Sequence, residues 1–178
     1  IGWSDFPDGI GSLVISDYFI PLAMCFWMLG LWFSGKAPHL RGRNQRAVLV
    51  AAVALGFANL VVLLMNQQIF RDRHFTQFEL AILFYDPTDS SFPANPAAIG
   101  FAVATAIWLA NRRAALVLFG MATLWALMRV YSGLFYPSDI VAGALIGTTV
   151  AWLITLGMRR IEPVPTWVLT GARFLHLA

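Results

Sequence analysis

Arg71, Arg73 and His74 fall in one short stretch, Phe-Arg-Asp-Arg-His-Phe. Arg129 and Asp139 fall in another, Met-Arg-Val-Tyr-Ser-Gly-Leu-Phe-Tyr-Pro-Ser-Asp. Three guanidiniums suit one chemistry above others, since each offers a planar fork of donors that grips a phosphate bidentately. His74, beside Arg73, is the candidate base, because a neighbouring cation keeps an imidazole neutral. Its simpler role is that of a loop histidine at the headgroup level. The set lacks a nucleophile with a base at its side. Ser90, Ser91, Ser132 and Ser138 carry hydroxyls, yet no histidine or lysine stands at a suggestive spacing from them. Ser132 and Gly133 suit a turn, and Asn95-Pro96 suits an N-cap followed by proline at the first helical position. Asp139 is suited to a structural ion pair with Arg129. No Cys/His cluster suggests a metal, and no histidine lies inside an apolar run to ligate a haem or chlorophyll-type pigment. No cofactor is expected.

The elements that must position these groups are membrane helices. Of 178 residues, 59% are hydrophobic and 12% charged, and the mean hydropathy is +0.71. Soluble domains run to about 45–50% apolar and about 25% charged. A bilayer core about 30 Å thick needs around 20 apolar residues per helix. Five runs qualify, roughly Leu13 to Phe33, Ala47 to Gln67, Ala94 to Ala110, Ala114 to Tyr131 and Ile140 to Met158. Small residues recur inside them, including Gly56, Gly100, Gly120, Gly143 and Gly147, as helix contacts in lipid require. The single cysteine, Cys25, excludes an internal disulfide and reads as a small buried hydrophobe. Residues 163–178, with Trp167, Arg173 and His176, are predicted to form an interfacial helix. The expected fold is thus all-α and integral to the membrane: five transmembrane helices in one domain, residues 1–178, with an interfacial C-terminal helix.

Net charge is +3, but the basic residues lie between the apolar runs, which indicates topology rather than nucleic-acid binding. The first connection carries Lys36, Arg41, Arg43 and Arg46. The third is Asn111-Arg112-Arg113, and Arg159-Arg160 follows the fifth run. The N-terminal segment carries Asp5 and Asp8 instead, and the long second connection Asp72, Glu79, Asp86 and Asp89. The positive-inside rule predicts an N-terminus outside and a C-terminus in the cytoplasm, in the plasma (inner) membrane. No charged–apolar–small pattern marks a signal peptide.

Three patches on the predicted outer face carry a resemblance. Asn66 to Phe75 is similar to a Lys-x6-Arg-Pro motif, with Arg73 at the arginine, Asn66 at the lysine and His74 at the proline. Ser90 to Ala97 resembles Ser-Phe-Pro-Ser-Gly-His-Ala, with Ala94 at the second serine and Pro96 at the histidine. Met128 to Asp139 resembles Ser-Arg-x5-His-x3-Asp, with Met128 at the serine and Phe135 at the histidine. Together they resemble the type-2 phosphatidic acid phosphatase superfamily, and within it the bacterial undecaprenyl-diphosphate phosphatases, from the second run to the fifth.

The resemblance implies a bundle of that type with an outward-facing site. In the family one histidine attacks phosphorus and the aspartate four residues on orients it. A second histidine protonates the leaving group, and Lys and Arg neutralise the phosphoryl oxygens. Here Asn66, Ala94, Pro96, Met128 and Phe135 occupy catalytic or motif positions with side chains that cannot do that work. A phenyl ring has no lone pair to attack with. Pro96 also removes an N–H from a helix start where a phosphate would be cradled. The expected function is a catalytically silent lipid-phosphatase-like membrane protein, an accessory or structural subunit among other membrane proteins. On this expectation Arg71, Arg73 and Arg129 remain as candidate ligands for a polyprenyl phosphate or other membrane lipid. The alternative is an active undecaprenyl-diphosphate phosphatase that uses a displaced residue such as His74. A transporter is disfavoured, because the runs show neither an inverted repeat nor an intramembrane charge pair.

Overall fold

The computed structural model describes residues 18–35, 37–69 and 90–161. Arg71, Arg73, His74 and the tail 163–178 lie outside the described residues. Five helices follow in order: α1 (Phe19–Phe33), α2 (Pro38–Gln68), α3 (Asn95–Trp108), α4 (Arg112–Tyr131) and α5 (Pro137–Arg160). Three of them, α2, α4 and α5, are long and apolar enough to cross a membrane. The other two are apolar but shorter, 15 residues in α1 and 14 in α3.

Helix α3 lies at the centre, packed on α5, α4 and α2, and α1 rests on α2 and α4. Its sequence explains its place. A helix surrounded by three others needs small side chains on every face, and Ala97, Ala98, Gly100, Ala102, Ala104 and Ala106 are all buried. At about 21 Å, α3 is shorter than the hydrocarbon layer. The non-helical stretch before it is enclosed by protein: Ser90, Ser91, Pro93 and Ala94 are buried. Irregular backbone at membrane depth requires that enclosure.

The closest approach joins α5 to α3. A Cβ on Gly143 would collide with the Ala94 carbonyl oxygen, and one on Gly147 with that of Ala98. The two glycines are four residues apart, so they share one helix face and form a groove into which the α3 backbone settles.

Several sequence expectations change in detail. Helix α2 begins at Pro38, so His39, Arg41, Arg43 and Arg46 are helical rather than part of a loop. Hydropathy marks only the lipid-embedded part of a helix, whereas proline at the first turn, with its φ already set, marks the true start. Cys25 is exposed on the bundle surface rather than buried; a thiol is apolar enough to face lipid. Asn95 is not the N-cap of α3. Ala94 holds that place, and the Asn95 amide instead donates across to Asn59 Oδ1 at 3.0 Å.

The basic clusters converge at one end of the bundle. Asn111 Nδ2 donates to Asn44 Oδ1 at 3.3 Å, and Asn44 Nδ2 to Ser34 Oγ at 2.9 Å. These bonds tie the α3–α4 turn to the start of α2 and the end of α1. Arg112 lies over the Trp108 ring, 5.5 Å from its centroid, which offsets a cation placed at a helix N-terminus.

Candidate functional site

The opposite end gathers what the sequence scattered. Helix α4 ends at Tyr131, and a tight turn follows with Gly133 at φ 72°. That left-handed conformation favours glycine. Ser132 Oγ donates to the Arg129 carbonyl at 3.1 Å, and the Leu134 N–H donates to the same oxygen at 3.2 Å. The turn therefore folds back over the last turn of α4 and carries Phe135 inward. Ser132 and Gly133 are the turn residues that the sequence predicts.

Phe135 is buried, 8% exposed, in an apolar cluster with Ala94 and Ala97 of the α3 start and Ala126 of α4. Phe101, Leu134 and Ile140 close around it. Its ring thus fills the place where helices α3, α4 and α5 come together.

Asp139 is fully buried at the first turn of α5. Its carboxylate works locally: Oδ2 accepts from the Tyr136 N–H at 3.1 Å and Oδ1 from the Ser138 hydroxyl at 3.3 Å. An acidic residue here caps orphan donors and complements the helix dipole. Its backbone carbonyl accepts from the Ala94 N–H at 3.1 Å, which locks the approach of α3 to the start of α5. Arg129 is 4% exposed, on the last turn of α4. Arg129 and Asp139 thus flank the turn that carries Phe135.

Asn66 is half-buried in the last turn of α2. Ser90 bonds this helix end to the returning chain, its hydroxyl donating to the Ile69 carbonyl at 2.9 Å. The structure thereby brings Asn66, Ala94, Pro96, Met128, Arg129, Phe135 and Asp139 to one end. Asn59 and Ser90 escaped the sequence reading as structural partners, because each acts through a contact that no local pattern announces.

The Ser90, Ser132 and Ser138 hydroxyls are each committed to a carbonyl or carboxylate. Among the described residues the one histidine, His39, is at the other end, and no group of His, Cys, Asp and Glu is placed to hold a metal. What the end does offer is a buried guanidinium on the last turn of α4 and a buried carboxylate on the first turn of α5.

Residues 47–162 match the family model of the PAP2 superfamily. The chain is 27% identical over 142 residues to the undecaprenyl-diphosphatase BcrC of Bacillus subtilis (strain 168), covering 78% of this chain and 69% of that protein. Two solved structures share the fold. A PAP2-type phosphatidylglycerolphosphate phosphatase from Bacillus subtilis superposes with a TM-score of 0.57 at 18% identity, over 86% of this chain and 75% of the other. Aquifex aeolicus LpxE superposes with a TM-score of 0.57 at 20% identity, over 87% and 99%. With the match running from the second helix through the last, and with the same helical fold in both solved relatives, this chain belongs to the PAP2 superfamily.

Proposed function

We propose that the chain is a catalytically silent PAP2 membrane protein that serves as an accessory or structural subunit of a larger membrane assembly. One observation supports this: Phe135, which the sequence resemblance sets at the family's attacking histidine, lies in a buried cluster with Ala94, Ala97 and Ala126. A ring there supplies no electron pair with which to attack phosphorus. Pro96, at the second histidine, supplies neither a side-chain acid nor a backbone donor. Asp139, with no imidazole to orient, serves as the cap of α5 and as a structural partner for Arg129. Arg71, Arg73 and Arg129 retain the charge to hold a polyprenyl phosphate without hydrolysing it. The bundle's outer surface is apolar, with Phe26, Leu127 and Leu145 all exposed, so partners are met within the membrane. The basic end faces the cytoplasm.

The likeness to undecaprenyl-diphosphatase BcrC supports a second reading, hydrolysis of undecaprenyl diphosphate through a displaced residue such as His74. Phosphate release from that lipid by the protein in vesicles separates the two. The silent reading expects no release above the protein-free blank. Release that His74→Ala abolishes would establish the enzyme. Native mass spectrometry after gentle extraction from the native membrane then tests the subunit role, which requires a stable complex with other polypeptides; a lone chain refutes it.

A further inference from the structure

At the arginine-rich end, a cavity of about 270 Å³ opens between α2, the end of α3, and α5. Helix α2 lines it with Arg43, Arg46 and Val50, three residues whose spacing places them on one helix face. Ala110 follows α3, and Met158 and Arg159 come from the last turns of α5. Three arginines from two helices thus border a space whose inner wall, apart from Thr155, is apolar. No acidic side chain among the described residues lines it. Among the described residues the one carboxylate, Asp139, lies at the opposite end of the bundle.

The position selects the ligand. Arg43 and Arg46 stand on the early turns of a helix about 46 Å long, well beyond the span of the hydrocarbon layer, and Arg159 stands on the last turn of α5. The charges therefore sit at headgroup depth, with Val50, Ala110 and Met158 below them. The volume falls under the roughly 300–1,000 Å³ of pockets that enclose a whole small molecule, so the cavity suits a headgroup and its first methylenes. Basic pockets between membrane helices bind anionic lipid headgroups by this logic. We propose that the cavity is a binding site for the phosphate headgroup of an anionic phospholipid, gripped by Arg43, Arg46 and Arg159. The site shares no residue with the Phe135 end, so it stands or falls independently of the silent-phosphatase reading.

The test is lipid titration of the full chain in detergent, read by native mass spectrometry. Dioleoyl phosphatidylglycerol is compared with dioleoyl phosphatidylcholine and with inorganic phosphate. The wild type retains one phosphatidylglycerol in preference to phosphatidylcholine. Each guanidinium lost weakens that binding about five-fold, and R43Q/R46Q/R159Q together about a hundred-fold. Ala110→Leu keeps every charge but fills the cavity, and it too loses the bound lipid. Equal retention of the two lipids by the wild type overturns the site, as does undiminished phosphatidylglycerol binding by either variant. Inorganic phosphate binding as tightly as phosphatidylglycerol also overturns it, because the apolar wall would then contribute nothing. If the triple variant does not fold, Ala110→Leu decides alone.

Discussion

Phe135 gives its surroundings area and dispersion but no proton acceptor, and the surroundings match it. Ala94, Ala97 and Ala126 are small enough to let a phenyl ring lie between three helices. The substitution Phe135→His would place polar nitrogens in an apolar cluster, at a cost of about 1–3 kcal/mol if they stay unsatisfied. The expected outcome is a lower midpoint of thermal denaturation in detergent and no phosphate release. The fuller set Asn66→Lys, Ala94→Ser, Pro96→His and Phe135→His separates a filled pocket from one that lacks only its chemical groups. Because Ala94 is inaccessible and in contact with the ring, the folded quadruple variant is expected to stay inactive. Measurable hydrolysis would show that the pocket survives beneath the substitutions.

Among the elements, the α3–α5 contact controls the site. The start of α3 carries Ala94 and Pro96, that of α5 carries Asp139, and the two are held by the Ala94–Asp139 backbone bond and the Gly143–Gly147 groove. Gly143→Ala or Gly147→Ala forces a methyl group against backbone oxygen, which cannot rotate aside as a side chain can. Each is expected to cost about 1–3 kcal/mol, the range of overpacked cores. Gly157→Ala is the control. Nothing lies within 4 Å of a Cβ built there, so it should be neutral or stabilising by up to about 1 kcal/mol. Thermal denaturation of the three variants in one detergent checks the order. Equal gains in all three would mean that helix propensity, not the α3 contact, sets the effect. Ser90→Ala probes the second tie, to the end of α2, and is expected to cost about 1 kcal/mol by the same measurement.

For the whole molecule, the convergence of the three basic clusters on one end predicts its sidedness. With Cys25→Ser as background, a cysteine at exposed Ser138 should react with a membrane-impermeant maleimide in intact cells. One at exposed Arg160 should react only after permeabilisation. The reverse pattern would invert the orientation. Membrane insertion, the order of the five helices among the described residues and the basic end were all legible in the sequence. Each depends on the identity of a residue or the hydropathy of a short window, and both are local properties. The start of α2 at Pro38 was misplaced because charge ends a hydropathy run without ending a helix. Tertiary structure alone decided what surrounds Phe135 and where the arginines gather. Phe135 meets Ala94, and Arg43 shares a cavity with Arg159, only because two glycines let α5 lie against the backbone of α3. Residues so far apart in the chain leave no local pattern; their meeting is fixed by how closely the helices pack.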